Sequence, residues 1–168
     1  MRARKTAAEA ALRLLAQRMR GRRELERRLL DAGYPPDEAA EALKMLAAEG
    51  YLDDADFARA FIMDKMNLHG HGERRIRREL GALGVARADI DSGFALCEAR
   101  FEEEGEPRLL RELQNALRAA EKCLRGQELN AATARRAADN LARRGFDFAV
   151  VREALRLYKQ NTGTESEP

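Results

Sequence analysis

Apolar side chains along this chain fall into a frame that occurs three times. Leu25, Leu29, Gly33 and Tyr34 are matched by Ile76, Leu80, Gly84 and Val85, and again by Ala137, Leu141, Gly145 and Phe146. A spacing of four between the first three positions puts them on one face of a helix, and the glycine supplies the left-handed residue that commonly ends one. Six and ten residues after each glycine a second apolar pair follows: Ala39 and Leu43, Ile90 and Phe94, Val151 and Leu155. That pair starts the next helix, so each copy predicts consecutive helices joined by a tight turn.

Reading outward predicts a three-helix unit in each copy. The first has helices from Ala7 to Arg20, Arg22 to Ala32 and Asp37 to Glu49; the second from Asp54 to Asn67, Glu73 to Leu83 and Ala88 to Phe101; the third from Pro107 to Arg125, Thr133 to Arg144 and Phe148 to Gln160. The expected domains are residues 7–50, 51–104 and 105–160, with a disordered tail at 161–168. Glu102-Glu103-Glu104-Gly105-Glu106-Pro107 is the irregular joint before the third unit, because Gly and Pro interrupt helices. Units this short cannot each bury a core, so neighbours must stack. The expected fold is all-α, an elongated, curved array of three tandem three-helix repeats.

Composition agrees with long charged helices: Ala, Leu, Arg and Glu dominate, with 4 Pro and no Trp. The 31 basic residues are nearly cancelled by 29 acidic ones, and a net charge of +2 excludes a generic polycation that coats nucleic acid. No apolar run approaches the roughly 20 residues of a membrane-spanning helix. Met1-Arg2-Ala3-Arg4-Lys5-Thr6 leads into an amphipathic segment with Glu9 and Arg13 rather than the apolar core of a signal peptide. A soluble, cytoplasmic, monomeric protein is therefore expected. Cys97 and Cys123 lie far apart without a CxxC pattern, and are expected to be reduced side chains with no chemistry assigned.

The segment Gly50-Tyr51-Leu52-Asp53-Asp54-Ala55-Asp56-Phe57-Ala58, followed by Gly72-Glu73-Arg74-Arg75-Ile76 and Glu79-Leu80-Gly81-Ala82-Leu83-Gly84-Val85, resembles the central signature of the RecX family. Arg18-Met19-Arg20-Gly21-Arg22-Arg23-Glu24-Leu25 is similar to its opening motif, and Leu141-Ala142-Arg143-Arg144-Gly145-Phe146 to its closing one. The resemblance covers about Ala10 to Leu157, with no clear match from Gly105 to Asn130. It implies tandem three-helix repeats and a regulator that binds RecA filaments, restraining their growth and ATP-linked activity in DNA repair, recombination and the SOS response. Gly21 stands where the family often has a capping serine, a small departure because glycine caps nearly as well.

Each second helix carries four arginines: Arg22, Arg23, Arg27 and Arg28; Arg74, Arg75, Arg77 and Arg78; Arg135, Arg136, Arg143 and Arg144. Arg23, Arg74 and Arg135 precede Leu25, Ile76 and Ala137 by two residues, which at roughly 100° per residue turns them far from the buried stripe. Guanidinium groups bind phosphates and carboxylates in bidentate fashion, so these twelve residues are the candidate RecA- or DNA-binding set, a discontinuous basic ridge. The alternative is a solvated charged face with intrahelical pairs such as Glu24 with Arg28. Without Trp, and with Tyr34, Tyr51, Phe57, Phe61, Phe94 and Phe146 at core or junction positions, little remains to stack on single-stranded bases. Contact with bare DNA is thus expected to be weak. Acidic stretches, Asp37 to Asp64 and Glu98 to Glu112, lie between the ridges, which favours a mixed protein and nucleic-acid target such as a recombinase filament.

Asp53, Asp54 and Asp56 suit a helix start better than a divalent-ion site, since acidic side chains there accept from free N–H groups. His69-Gly70-His71-Gly72 is at most half a zinc site, so no metal is expected. No phosphate-binding loop, dinucleotide fingerprint or serine-nucleophile motif occurs, and the chain is expected to be neither an enzyme nor cofactor-dependent. The rival to filament regulation is a direct DNA-binding module in which three-helix units read duplex grooves.

Overall fold

Helix ends carry free N–H and C=O groups that something must satisfy, and in this chain the answer differs from helix to helix. A computed structural model describes residues 6–163, and all regular structure among them is helical. The helices are α1 (Ala7–Leu15), α2 (Arg22–Asp31), α3 (Pro36–Ala48), α4 (Asp54–Asn67), α5 (Glu73–Ala82), α6 (Arg87–Glu103), α7 (Arg108–Leu124), α8 (Ala131–Arg143) and α9 (Phe148–Gly163). The all-α expectation holds. α9 continues through residues assigned from sequence to the tail, and the rest of that segment, 164–168, lies outside the described residues. So do residues 1–5.

By compactness the chain divides into two units. One holds the described residues up to Phe61 with Leu80–Phe94, the other Ile62–Glu79 with the described residues from Ala95 onward. α4, α5 and α6 thus each supply residues to both.

The first unit packs Leu25 and Leu29 of α2 against Ala7 and Ala11 of α1 and Ala39, Leu43 and Leu46 of α3. Thr6 and Glu9 form a capping box at the start of α1. The sequence extends α1 to Arg20, whereas the helix stops at Leu15. Arg20 is buried and folds back: its Nε donates to the Leu14 carbonyl at 3.0 Å and its Nη1 to Glu24 Oε1 at 2.6 Å. The bond to Leu14 satisfies one of the carbonyls left free where α1 ends.

Gly21 makes no side-chain cap for α2. Asp54 supplies one from α4, its Oδ1 accepting from the Arg22 N–H at 2.8 Å, while the Phe57 ring lies 3.4 Å from where a Cβ on residue 21 would sit. A methyl there would meet only ordinary van der Waals contact, so what marks this helix start is the borrowed carboxylate, not a lack of space. Asp53 caps α4 itself, accepting from Ala55 at 2.8 Å and Asp56 at 3.0 Å, the helix-start role expected for these acids. The turn at Gly84, φ +84°, sits so close to α2 that a Cβ would overlap the Arg23 stem.

The second unit is built around Ala116, Ala119 and Ala120 of α7, Leu141 of α8, and Val150, Val151 and Ala154 of α9, with Phe146 between the last two helices. Leu124, Ala137 and Tyr158 extend it, the Tyr158 hydroxyl donating to the Gln127 carbonyl at 2.9 Å. Here the glycine turn meets the first residues of α5 through backbone. Gly72 N–H donates to the Arg144 carbonyl at 2.9 Å and Arg74 N–H to the Gly145 carbonyl at 3.0 Å. Glu73 N–H donates to Glu112 Oε1 at 3.0 Å. Three consecutive donors at the start of α5 are therefore satisfied from α7 and the α8–α9 turn. α8 instead caps itself with an Asn130–Thr133 box.

Leu29, Leu80 and Leu141 are each fully buried, as the repeat demands. Leu80→Ala is expected to cost about 2–5 kcal/mol in denaturant unfolding, the range for deleting a buried leucine, against well under that for half-exposed Leu83→Ala. Gly50→Ala, where the new methyl meets open space at φ +78°, is expected to cost about 1–2 kcal/mol from the left-handed backbone alone. Gly145→Ala should cost clearly more, because its methyl also overlaps Arg75; equal losses at the two glycines would contradict this close docking.

Candidate functional site

The second helices present their arginines outward. Nine of the twelve candidates are exposed, and Arg75, Arg77 and Arg144 are half-buried. What separates them is how each is occupied. On α2, the Arg22 guanidinium reaches the Leu43 carbonyl at 3.5 Å and Arg28 Nε donates to Glu24 Oε1 at 3.0 Å. Arg23 and Arg27 make no polar contact among the described residues. On α5 three of four are engaged: Arg74 with Asp147 at 2.6 Å, Arg75 with Glu79 at 2.7 Å and Arg77 with Glu73 at 2.6 Å. Arg78 stays unpaired among the described residues. On α8 and its C-cap, Arg136 donates to Gln127 at 2.7 Å and Arg144 to Asn140 at 3.2 Å, while Arg135 and Arg143 make no polar contact among the described residues.

Two hollows gather these side chains, one in each unit. The first is lined by Arg18, Arg23, Arg27 and Arg28 with Glu24, Glu26, Leu30, Ala82 and Leu83. Arg18, absent from the sequence-derived set, joins Arg20 and Arg28 around the single oxygen Glu24 Oε1. Burial works against ionisation of Glu24, yet the hydrogen bonds from Arg20 and Arg28 hold its carboxyl below the ordinary glutamate range. The second hollow is lined by Arg135, Arg136 and Arg143 with Asp139, Ala131 and Ala132. The central arginines, which carry the most weight in a reading from sequence because the middle repeat is flanked on both sides, are instead the most neutralised by neighbours.

Part of the acidic surface expected between the ridges is consumed internally. Arg108 binds Glu73 at 2.6 Å and Glu98 at 2.7 Å, and lies 3.6 Å from Glu112. Arg111 pairs with Glu106 at 2.8 Å and lies over the Phe101 ring at 4.3 Å. Glu112 is buried, and that burial pushes its pKa above the ordinary glutamate value despite the Glu73 N–H bond and nearby Arg108. Only the four-residue spacing of Arg108 and Glu112 hinted at this cluster in the sequence. Two rings do stand exposed, Tyr51 at 60% and Phe148 at 71%.

His69 and His71 have ring centroids 5.7 Å apart, with His71 Nδ1 buried without a hydrogen bond. Burial and nearby Arg75 lower the His71 pKa. Among the described residues no group of three or more His, Cys, Asp or Glu side chains could hold a metal ion. Nor is any described helix long and apolar enough to cross a membrane.

Fold and surface together define a helical-repeat protein that exposes arginines on α2, α5 and α8. Residues 7–46 match the family model described as RecX, first three-helix domain, and residues 53–93 match RecX, second three-helix domain. The regulatory protein RecX of Xanthomonas oryzae pv. oryzae is 34% identical over 154 residues, covering 90% of this chain and 88% of the relative. That of Pseudomonas fluorescens is 38% identical over 94 residues, covering 56% and 60%. The chain belongs to the RecX family. The crystal structure of RecX from Lactobacillus salivarius shares its fold, with a TM-score of 0.80 at 17% identity over 92% of this chain and 95% of the other.

Glu112 generates a pH prediction. Its pKa in the folded chain lies above the unfolded value, so the native state binds more protons in the interval between the two. This contribution to stability is fully present below the unfolded pKa and is lost as pH rises through the folded one. Glu112→Gln keeps an oxygen for the Glu73 N–H and removes the titration, so the variant should gain on the parent as pH rises across that interval. Urea midpoints measured over the same range check it, and parallel curves for the two proteins would refute the assignment.

Proposed function

We propose that this chain is a non-enzymatic regulator that binds the RecA nucleoprotein filament and restrains its growth, ATP turnover and recombination activity. The three-repeat division at 7–50, 51–104 and 105–160 is the framework of that reading. The observation that carries it is the exposure of arginines on each of α2, α5 and α8, in a chain that belongs to the RecX family. A filament of protein and bound DNA offers both carboxylates and phosphates to guanidinium groups, and a net charge of +2 is too small for indiscriminate coating of DNA. All twelve candidate arginines are assigned to this contact. Those with no internal partner, Arg23, Arg27, Arg78, Arg135 and Arg143, carry most of it, because a guanidinium already bound to a carboxylate must give up that bond to take another.

Titrating RecA's single-strand-dependent ATPase with this protein tests the reading, and inhibition is the expected result. Replacing the five unpaired arginines by Ala should preserve helicity, since Ala is the better helix former, while inhibition weakens by about tenfold or more. Replacing Arg74, Arg75 and Arg77 should matter less. For each contact made to phosphate, the slope of log affinity against log salt should flatten by roughly 0.7–0.9; contacts to carboxylates leave the weak binding to bare DNA unchanged. A folded five-arginine variant that inhibits as well as the parent would reduce the ridge to a solvated face. Purified chain without RecA should turn over no ATP, and chelators should leave inhibition intact.

A further inference from the structure

We propose that the hollow of the first unit is a docking site for an acidic peptide segment carrying one large apolar side chain. The cationic wall comes first. Arg23 and Arg27 line the hollow without a polar partner among the described residues, and Arg18 and Arg28 share one carboxylate oxygen, Glu24 Oε1, with buried Arg20. Three guanidinium groups on one carboxylate leave positive charge in excess, and their planar forks match further carboxylates. Arg23 is also held in place: its stem lies against Gly84, where any Cβ would displace it.

The same hollow presents an apolar patch, Leu30 at 41% and Leu83 at 43% exposure beside Ala82. A peptide whose carboxylates meet Arg23 and Arg27 while a Leu or Phe side chain covers Leu30 and Leu83 uses both features. A nucleic-acid strand uses only one. None of the lining residues is aromatic, so bases have no ring to stack on, and Glu24 and Glu26 in the wall oppose an unbroken row of phosphates while leaving room for discrete carboxylates. The repeat register makes the patch particular to this place. Leu30 corresponds to Gly81 in the second copy, and Leu83 to Arg144 in the third. The inference goes beyond filament regulation and stands without it, since it concerns a peptide and not an assembly.

Fluorescence anisotropy on the full chain provides the test. The probes are a labelled peptide of Asp and Glu residues with one central Phe, the same peptide with Ser for Phe, and labelled oligothymidylate. The Phe peptide should bind the parent about tenfold more tightly than its Ser control. That preference should vanish in Leu30→Ser/Leu83→Ser, and both peptides should be lost in Arg23→Gln/Arg27→Gln, with helicity checked by circular dichroism. Oligothymidylate binding should be indifferent to the leucine substitutions. The comparison of the two peptides needs no variant, so it decides the matter even if a substitution unfolds the chain. No peptide binding, or equal binding of both peptides, overturns the proposal; so does oligothymidylate binding that disappears with the leucines. Because no recombinase is present, failure here does not touch the filament reading, and loss of RecA inhibition with peptide binding intact would count against that reading alone.

Discussion

The close approach of a glycine turn to the start of an earlier helix organises both units. In the first, Gly84 at the end of α5 lies on the Arg23 stem at the start of α2; in the second, Gly145 at the end of α8 meets the backbone of residues 72–75 at the start of α5. A side chain at Gly145 would run into the α5 backbone, and one at Gly84 would displace the Arg23 stem. The contact also solves an electrostatic problem, because the free carbonyls after α8 accept from the free N–H groups that begin α5, pairing the negative end of one helix dipole with the positive end of another. Glu112 and Asp54 complete the same task with carboxylates delivered from α7 and α4. α8 has its own Asn130 cap, so its first donors need no incoming turn.

These junctions decide where charge is available. Arg74 is drawn to Asp147 just beyond the α8–α9 turn, and Arg75 and Arg77 pair along their own helix with Glu79 and Glu73. Most of the α5 arginines are thus neutralised, one at the junction and two along their own helix. On α2 the contact runs through a side-chain stem, which leaves the Arg23 head outward and Arg27 beside it. Exposed ion pairs of this kind contribute little to stability, so their chief effect is on what remains for a partner.

The buried stripe was legible because a helix's period and a glycine at its end are local properties: Leu25, Ile76 and Ala137 are fully buried beside the three repeat leucines. α4 begins and ends where periodicity puts it, at Asp54 and Asn67. What sequence could not reach depends on distant groups. Nothing local says that Arg20 turns back onto Leu14, so periodicity alone carries α1 past its end at Leu15. From sequence Gly21 reads as a cap nearly as good as serine, whereas the carboxylate that caps α2 comes from Asp54, more than thirty residues away in the chain. The twelve arginines were legible as outward-facing, and the four-residue pairings of Arg28, Arg75 and Arg77 are visible locally, but Arg74 and Arg136 are occupied by Asp147 and Gln127, which reach them only through the fold.

On the proposed function, exposed arginines in a chain of modest net charge would favour a composite target over its parts, because neither bare strand nor bare protein offers the full set of anionic groups. Binding of the full chain to RecA assembled on single-stranded DNA with a non-hydrolysable ATP analogue, compared with RecA alone and the strand alone at the same salt, measures this directly. Filament affinity should exceed either component by about tenfold or more. Equal affinity for the bare strand and the filament would contradict the account and make the chain a DNA-binding module instead.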